Sequence, residues 1–316
     1  MSTIRGGCMV ASQFCSDESV NSLLRYSKSV VDNICASQNR PKKLRNLQYL
    51  IFAGMVSYYG LEHIDEITRT FRSTKFTWAG GNSTEEFWDK KGIHEESKKI
   101  CADDDVCATF YREFFYNKKR NIYTCTGEVV MFDNADTSPD NLLEYTTHEV
   151  NHALNGLKRA LTPKDGLFVS RLGLYRFDLS TGERKGRYFE ETINTLQTAE
   201  IMDHILAFTD YRIADPELRY YLDSMKYAAG KKRMGLGYDE SLNIIRPLYD
   251  NERYKLVANN SRLSGHLDGM IKELEKKSGP NAFSRLCECV DGIYLDPKHA
   301  WKNEREAKSI VKQYVR

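Results

Sequence analysis

No stretch of this 316-residue chain stays apolar for long. The most apolar window, LQYLIFAGMVSYYGL at 47–61, is interrupted by polar groups. It falls short of the ~20 residues that a bilayer requires, so it is expected to be a buried helix rather than a membrane span. The opening residues, MSTIRGGCMVASQFCSDES, lack the continuous apolar core of a secretory signal. These absences predict a soluble protein with no membrane partner and no ordinary export route. The expected location is cytoplasmic, or a host cytosol reached by a specialised delivery system. Charge of one sign is also missing. The formal net charge is +2 with 28% charged residues, so there is no electrostatic case for a nucleic-acid partner.

Several catalytic signatures are absent too. GKKRMGLGYDE at 230–240 lacks the closing Gly-Lys-Ser/Thr of a phosphate-binding loop and is expected to be a flexible loop. There is no serine nucleophile elbow. HEES at 94–97 has Lys98 where a second histidine would be needed. The three aspartates at 103–105 supply too few oxygens for calcium. The eight cysteines are scattered, and Cys287-Glu288-Cys289 has no second pair to complete a zinc knuckle. Reduced thiols are the expectation. No internal repeat or low-complexity tract is visible.

What is present is enough for an ordered core. Hydrophobic residues make up 41%, with 19 Tyr and 14 Phe, in a length that suits one large domain or two closely packed ones. Apolar residues recur at helical spacing over 16–37 (Val20, Leu23, Leu24, Val30, Val31, Ile34). Further helices are expected over 43–60 and 61–72, with a capped start at Ser83-Thr84-Glu85-Glu86. The stretch 96–120 reads as mostly helical, which makes the first 115 residues an α-rich segment. The pattern changes at NIYTCTGEVVMFDNAD, 121–136, where β-branched and aromatic residues predict a strand. Thr137 or Ser138 can then cap a helix over 139–155, with Pro139 in its first turn and Asn155-Gly156 as its stop. A hairpin or structured loop around STGE at 180–183 leads into a long helix over 187–209, and the rest of the chain reads as helical.

The helix over 139–155 carries YTTHEVNHALNG. Residues four apart on an α-helix share a face, so His148 and His152 can offer two imidazoles to one zinc ion. Glu149, turned about 100° from His148, can lie beside the ion without binding it. This is the HExxH arrangement of zinc metallopeptidases. The plain alternative is a pair of satisfied histidines on a packed helix whose apolar face is Leu142, Leu143, Val150, Ala153 and Leu157. A catalytic zinc also wants a third protein ligand and one open position. HALNGLKRALTPKDG contains no third histidine close by, which directs attention to GRYFEETINTLQTAEIM.

On these residues the chain resembles the gluzincins, the thermolysin-like and aminopeptidase-like class of HExxH metallopeptidases. FEETIN resembles the segment that carries the ligand glutamate of that class. The resemblance implies Glu191 as third ligand, Glu190 as the fallback, and Glu149 as general base and then acid. It covers roughly 121–209 and lies in motif and order, not in overall sequence. Thr195 stands where thermolysin-like enzymes have an aspartate that orients a zinc histidine, leaving Asn194 or Glu144 as substitutes. The strand over 121–133 resembles the edge strand on which such enzymes lay an extended substrate. Tyr211, Arg212, His204, Tyr254 and His266 are the candidates for stabilising an oxyanion, and the sequence does not choose among them.

The expected architecture is α+β and predominantly α-helical. A zincin-like core over 116–212, with a small sheet before the HExxH helix, is flanked by helical segments over 1–115 and 213–316. The expected activity is zinc-dependent hydrolysis of a protein or peptide substrate. Two alternatives stand beside it. One is a non-catalytic helical interaction protein with a structural or vestigial metal site. The other is a secreted or translocated effector protease that cuts one host protein.

Overall fold

The structure is a computed structural model that describes residues 14–38, 42–79, 108–117, 122–132, 139–155, 169–172, 175–178, 184–228, 238–264 and 267–316. It is predominantly helical with small sheets. Two compact units divide the chain. One comprises Met1–Arg112, Thr126–Val150 and Thr198–Met234, the other Glu113–Cys125, Asn151–Gln197 and Gly235–Arg316.

In the first unit, α1 (Asp17–Gln38), α2 (Lys42–Tyr59) and α3 (Ile64–Ser73) follow the expected periodicity closely. α2 is the apolar window read from the sequence. Leu47, Leu50, Ile51, Phe52, Ala53, Met55 and Val56 are all fully buried, because a helix apolar on every face must be covered on every face. Among the described residues no helix is long and apolar enough to cross a membrane. β1 (Thr74–Trp78) pairs in parallel with β3 (Ile122–Met131), Thr74 opposite Gly127 and Trp78 opposite Met131. β2 (Ala108–Asn117) lies on the other side of β3.

Two expectations are corrected here. Residues 108–117 are strand, not helix: Thr109, Phe110, Tyr111, Phe114, Phe115 and Tyr116 favour a pleated, paired surface over a helix. The strand β3 is central, not an edge. β1 pairs with it over Gly127–Met131 and β2 lies on its other side, so along that stretch it offers no free row on which to lay an extended substrate.

The HExxH helix, α4, spans Pro139–Asn155. In the second unit, β4 (Val169–Leu172), β5 (Tyr175–Asp178) and β6 (Arg184–Lys185) form an antiparallel sheet that includes the expected hairpin. The long helix α5 runs Arg187–Ala207. The boundary between the units cuts β2 after Arg112, β3 after Cys125, α4 after Val150 and α5 after Gln197. Beyond α5 come α6 (Pro216–Ala228), α7 (Asp239–Tyr249), α8 (Glu252–Ser264), α9 (Asp268–Ser278), α10 (Ala282–Leu295) and α11 (Ala300–Val315). A core including Phe189, Ile193, Leu248, Tyr254, Leu274, Leu286 and Tyr314 joins the N-terminal half of α5 to these helices.

Three contacts set where α5 lies. Within the first unit, Gly54 of α2 faces Ile205 and Ile201 so closely that a Cβ there would collide with the Ile205 side chain. Gly54→Val is therefore expected to lower the unfolding free energy by about 1–3 kcal/mol in urea titration, the usual cost of overpacking. Ser57 Oγ and His204 Nδ1, 2.8 Å apart, share a hydrogen bond across the same pair of helices. Within the second unit, the Asp291 carboxylate of α10 caps the start of α5. The N–H groups of Gly186 and Tyr188 donate to it at 2.6 and 2.8 Å. No side chain of α5 does this work, so Asp291→Ala is expected to cost about 1–2 kcal/mol by the same measurement.

On the first unit's surface, Asp215 accepts from the N–H groups of Glu217 and Leu218 at the start of α6 and pairs with Lys28 of α1 at 2.8 Å. Burial opposes its ionised form, but the Lys28 ammonium and the two amides outweigh that and hold its carboxyl below the ordinary value. A carboxyl with a depressed folded-state pKa stabilises the fold above its unfolded pKa and loses that contribution as pH falls through the folded one. The gap in unfolding free energy from urea titration between wild type and Asp215→Ala, about 1 kcal/mol at neutral pH, is therefore expected to close in acid.

Candidate metal centre

α4 is buried on two faces with opposite chemistry. Leu142, Leu143, Val150 and Leu154 make its apolar side. His148, Asn151, His152 and Asn155, at helical spacing i, i+3, i+4 and i+7, make a buried polar side. α5 has a matching stripe in Glu190, Asn194 and Gln197, all buried. Asn151 Nδ2 donates to Asn194 Oδ1 at 2.7 Å and to Gln197 Oε1 at 3.0 Å, and Asn155 Nδ2 reaches Gln197 Oε1 at 3.3 Å. A buried amide must be bonded or it destabilises the fold, so these pairs fix the register of α5 on this part of α4.

That register brings His148, His152 and Glu191 together. One ligand atom from each lies within 4.8 Å of the others, and among the described residues this is the one group of three or more His, Cys, Asp or Glu side chains placed to hold a metal ion. His152 Nε2 is 3.1 Å from Glu191 Oε2. Ligand atoms about 2 Å from a tetrahedral metal ion stand roughly 3.3 Å apart, close to the His152–Glu191 separation, and two imidazole nitrogens with a carboxylate oxygen are a donor set that could hold such an ion.

Glu190 and Glu191 are adjacent, so the helix turns them about 100° apart and they cannot share a task. The Glu191 side chain is 22% exposed and faces the group. Glu190 is 2% exposed and points inward, its Oε1 3.3 Å from His152 Nδ1. The alternative of Glu190 as the third ligand is thereby separated from Glu191 by geometry: it approaches the ring nitrogen that faces away from the group. Asn194, a candidate to orient a histidine, is bonded to Asn151 instead, and Glu144 lies on α4 one turn before His148. Glu149 is half-buried on α4 beside His148.

Two of the oxyanion candidates have side-chain hydrogen bonds to other segments. Tyr211 Oη donates to the Phe14 carbonyl, and His204 bonds Ser57. Arg212 is exposed, with its backbone tied to Asp17 and Asn21 of α1. Tyr254 is fully buried, its ring edge-on to Tyr314, and burial pushes its hydroxyl well above the ordinary value. His266 lies outside the described residues, as do Ser83–Glu86, 94–97, 103–105 and 230–237. Cys287 and Cys289 are buried and unbonded to one another, and burial, with Glu306 nearby, pushes the Cys289 thiol up to about 11. A thiol held protonated in this way is a poor metal ligand.

One residue had no sequence signal at all. Arg262 of α8 is completely buried and donates through Nη2 to Glu190 Oε1 and through Nη1 to Gln197 Oε1. Nothing in SRLSG distinguishes it from an ordinary surface arginine. No protein-family model matches the chain, and neither a curated protein nor a solved structure does.

Proposed function

We propose that the chain is a zinc-dependent peptidase. The observation that carries this reading is the convergence of two histidines one helical turn apart with a carboxylate from a separate helix, with Glu149 beside the first histidine. His148, His152 and Glu191 would hold the ion. When bound, zinc supplies a Lewis acid that lowers the pKa of a water and polarises a carbonyl. Glu149 then has two tasks: its carboxylate takes a proton from the attacking water and delivers it to the departing amide nitrogen. Glu191, the most exposed of the three ligands, marks the side from which a peptide would enter. The partner implied is a protein or peptide chain.

The 3.1 Å spacing of His152 and Glu191 also suits a direct ion pair, so a non-catalytic helical protein remains the rival reading. Metal loading separates the two. The purified chain, stripped by chelation and dialysed against zinc, is expected to retain one ion and to cleave extended peptides only in the loaded form. Failure to retain zinc would refute the peptidase reading.

A further inference from the structure

We infer that Arg262 is a positioning residue of the metal centre, acting through Glu190 on His152; the inference rests on the metal-binding reading above. Zinc takes a neutral imidazole through a nitrogen that carries no hydrogen. His152 must therefore hold its proton at Nδ1 and keep Nε2 bare toward His148 and Glu191. Glu190 Oε1, 3.3 Å from Nδ1, is the acceptor that selects this tautomer and fixes the ring plane. The aspartate that performs this service in the resembled class is replaced by Thr195, so this chain takes the carboxylate from the residue just before its third ligand.

A carboxylate so close to a cation site is an inconvenient neighbour unless something restrains it. Left alone, Glu190 would be drawn to the ion as a competing ligand. The Arg262 guanidinium prevents this by donating to the same oxygen that faces His152, so that Glu190 is held in place and balanced in charge. Arg262 is held in turn. Its Nη1 bonds Gln197, whose Oε1 also accepts from Asn151 and whose Nε2 donates to Asn259 at 2.7 Å. The guanidinium thus links α8 to α5, and through Gln197 to the residues of α4 that flank His152.

A buried ion pair can often be replaced by apolar side chains of similar volume without loss of stability, whereas removing one partner is damaging. That asymmetry supplies the test. The double variant Glu190→Leu/Arg262→Met keeps volume and removes both charges. Two readouts are taken on the full chain: zinc affinity by competition with a chromophoric chelator, and the visible absorption of the cobalt(II)-loaded protein, which reports ligand geometry. The double variant is expected to keep the wild-type circular dichroism and urea midpoint. Its zinc affinity should fall about 10–100-fold, the usual effect of losing a partner behind a metal ligand, and its cobalt spectrum should change. Arg262→Lys should recover part of the affinity that Arg262→Met loses. Should the double variant misfold, Glu190→Gln, which keeps shape and one acceptor oxygen, is expected to weaken zinc binding and alter the cobalt spectrum in the same direction. Wild-type affinity and an unchanged spectrum in the folded variants would show that the pair only supports packing, and would overturn the inference while leaving the peptidase reading intact. A wild-type chain that binds neither ion would overturn both.

Discussion

Glu149→Gln is expected to reduce kcat/KM for peptide cleavage by about 10²–10⁴-fold while leaving zinc content unchanged. The substitution keeps the size of the side chain and its place on α4. It removes the only property the mechanism needs there, a carboxylate that can take a proton and return it. His148 and His152 keep their places on α4, because the exchange replaces one oxygen by an amide group on a half-buried side chain of the same size. A variant that binds zinc as the wild type does but cuts at the wild-type rate would exclude Glu149 as the base. A variant that loses zinc would place Glu149 among the ligands. If the natural substrate is a single protein, a panel of lysates treated with wild type or Glu149→Gln should differ by the loss of one band.

Glu191→Ala is expected to have the largest effect on metal binding. It removes one of three protein ligands, and its cost in zinc affinity should exceed the roughly 100-fold that marks the loss of an orienting partner. Thermal unfolding gives an independent measure. A ligand that binds only the folded chain stabilises it by about 4 kcal/mol at a thousand times its dissociation constant. The wild type should therefore melt at a higher temperature in zinc than in chelator. Glu191→Ala should melt at the same temperature in both, since its stump leaves His148 and His152 as the only donors. In chelator the variant should be close to the wild type, because Glu191 is the most exposed member of the group and its loss opens no cavity in the core. A full zinc-dependent shift in Glu191→Ala would mean that the ion sits elsewhere.

Those two experiments address the centre. The substitutions at Gly54 and Asp291 address its scaffold, since each tests a contact that places α5. Their effects on stability are smaller. An effect on zinc affinity beyond the loss of fold would show that the position of α5 tunes the centre as well as carrying it.

The amino-acid sequence by itself determined what is local. The helix over 139–155, with its two histidines on one face, follows from side-chain spacing and a proline at its start. So do α1, α2 and the strand before α4, because hydrophobic periodicity is carried by neighbours along the chain. Residues 108–117 escaped this logic. Their aromatic and β-branched content leaned toward strand, but the pairing beside β3 that stabilises a strand joins residues distant in sequence. The polar stripes of α4 and α5 were visible as spacing, at 148, 151, 152 and 155 and at 190, 194 and 197, yet an exposed helix face would show the same letters. Only packing reveals that they face one another and are buried. The same holds for the division of labour between Glu190 and Glu191, which depends on the rotation of α5 about its axis, and for the centrality of β3. Arg262 is the extreme case. A buried guanidinium and a solvated one are written with the same residue, and what distinguishes them is a carboxylate 72 residues away in sequence that tertiary structure brings into contact. Backbone periodicity is a short-range property and can be read along the chain; desolvation is a long-range one, and it is the enclosure of these charges by distant segments that turns them from surface chemistry into a site.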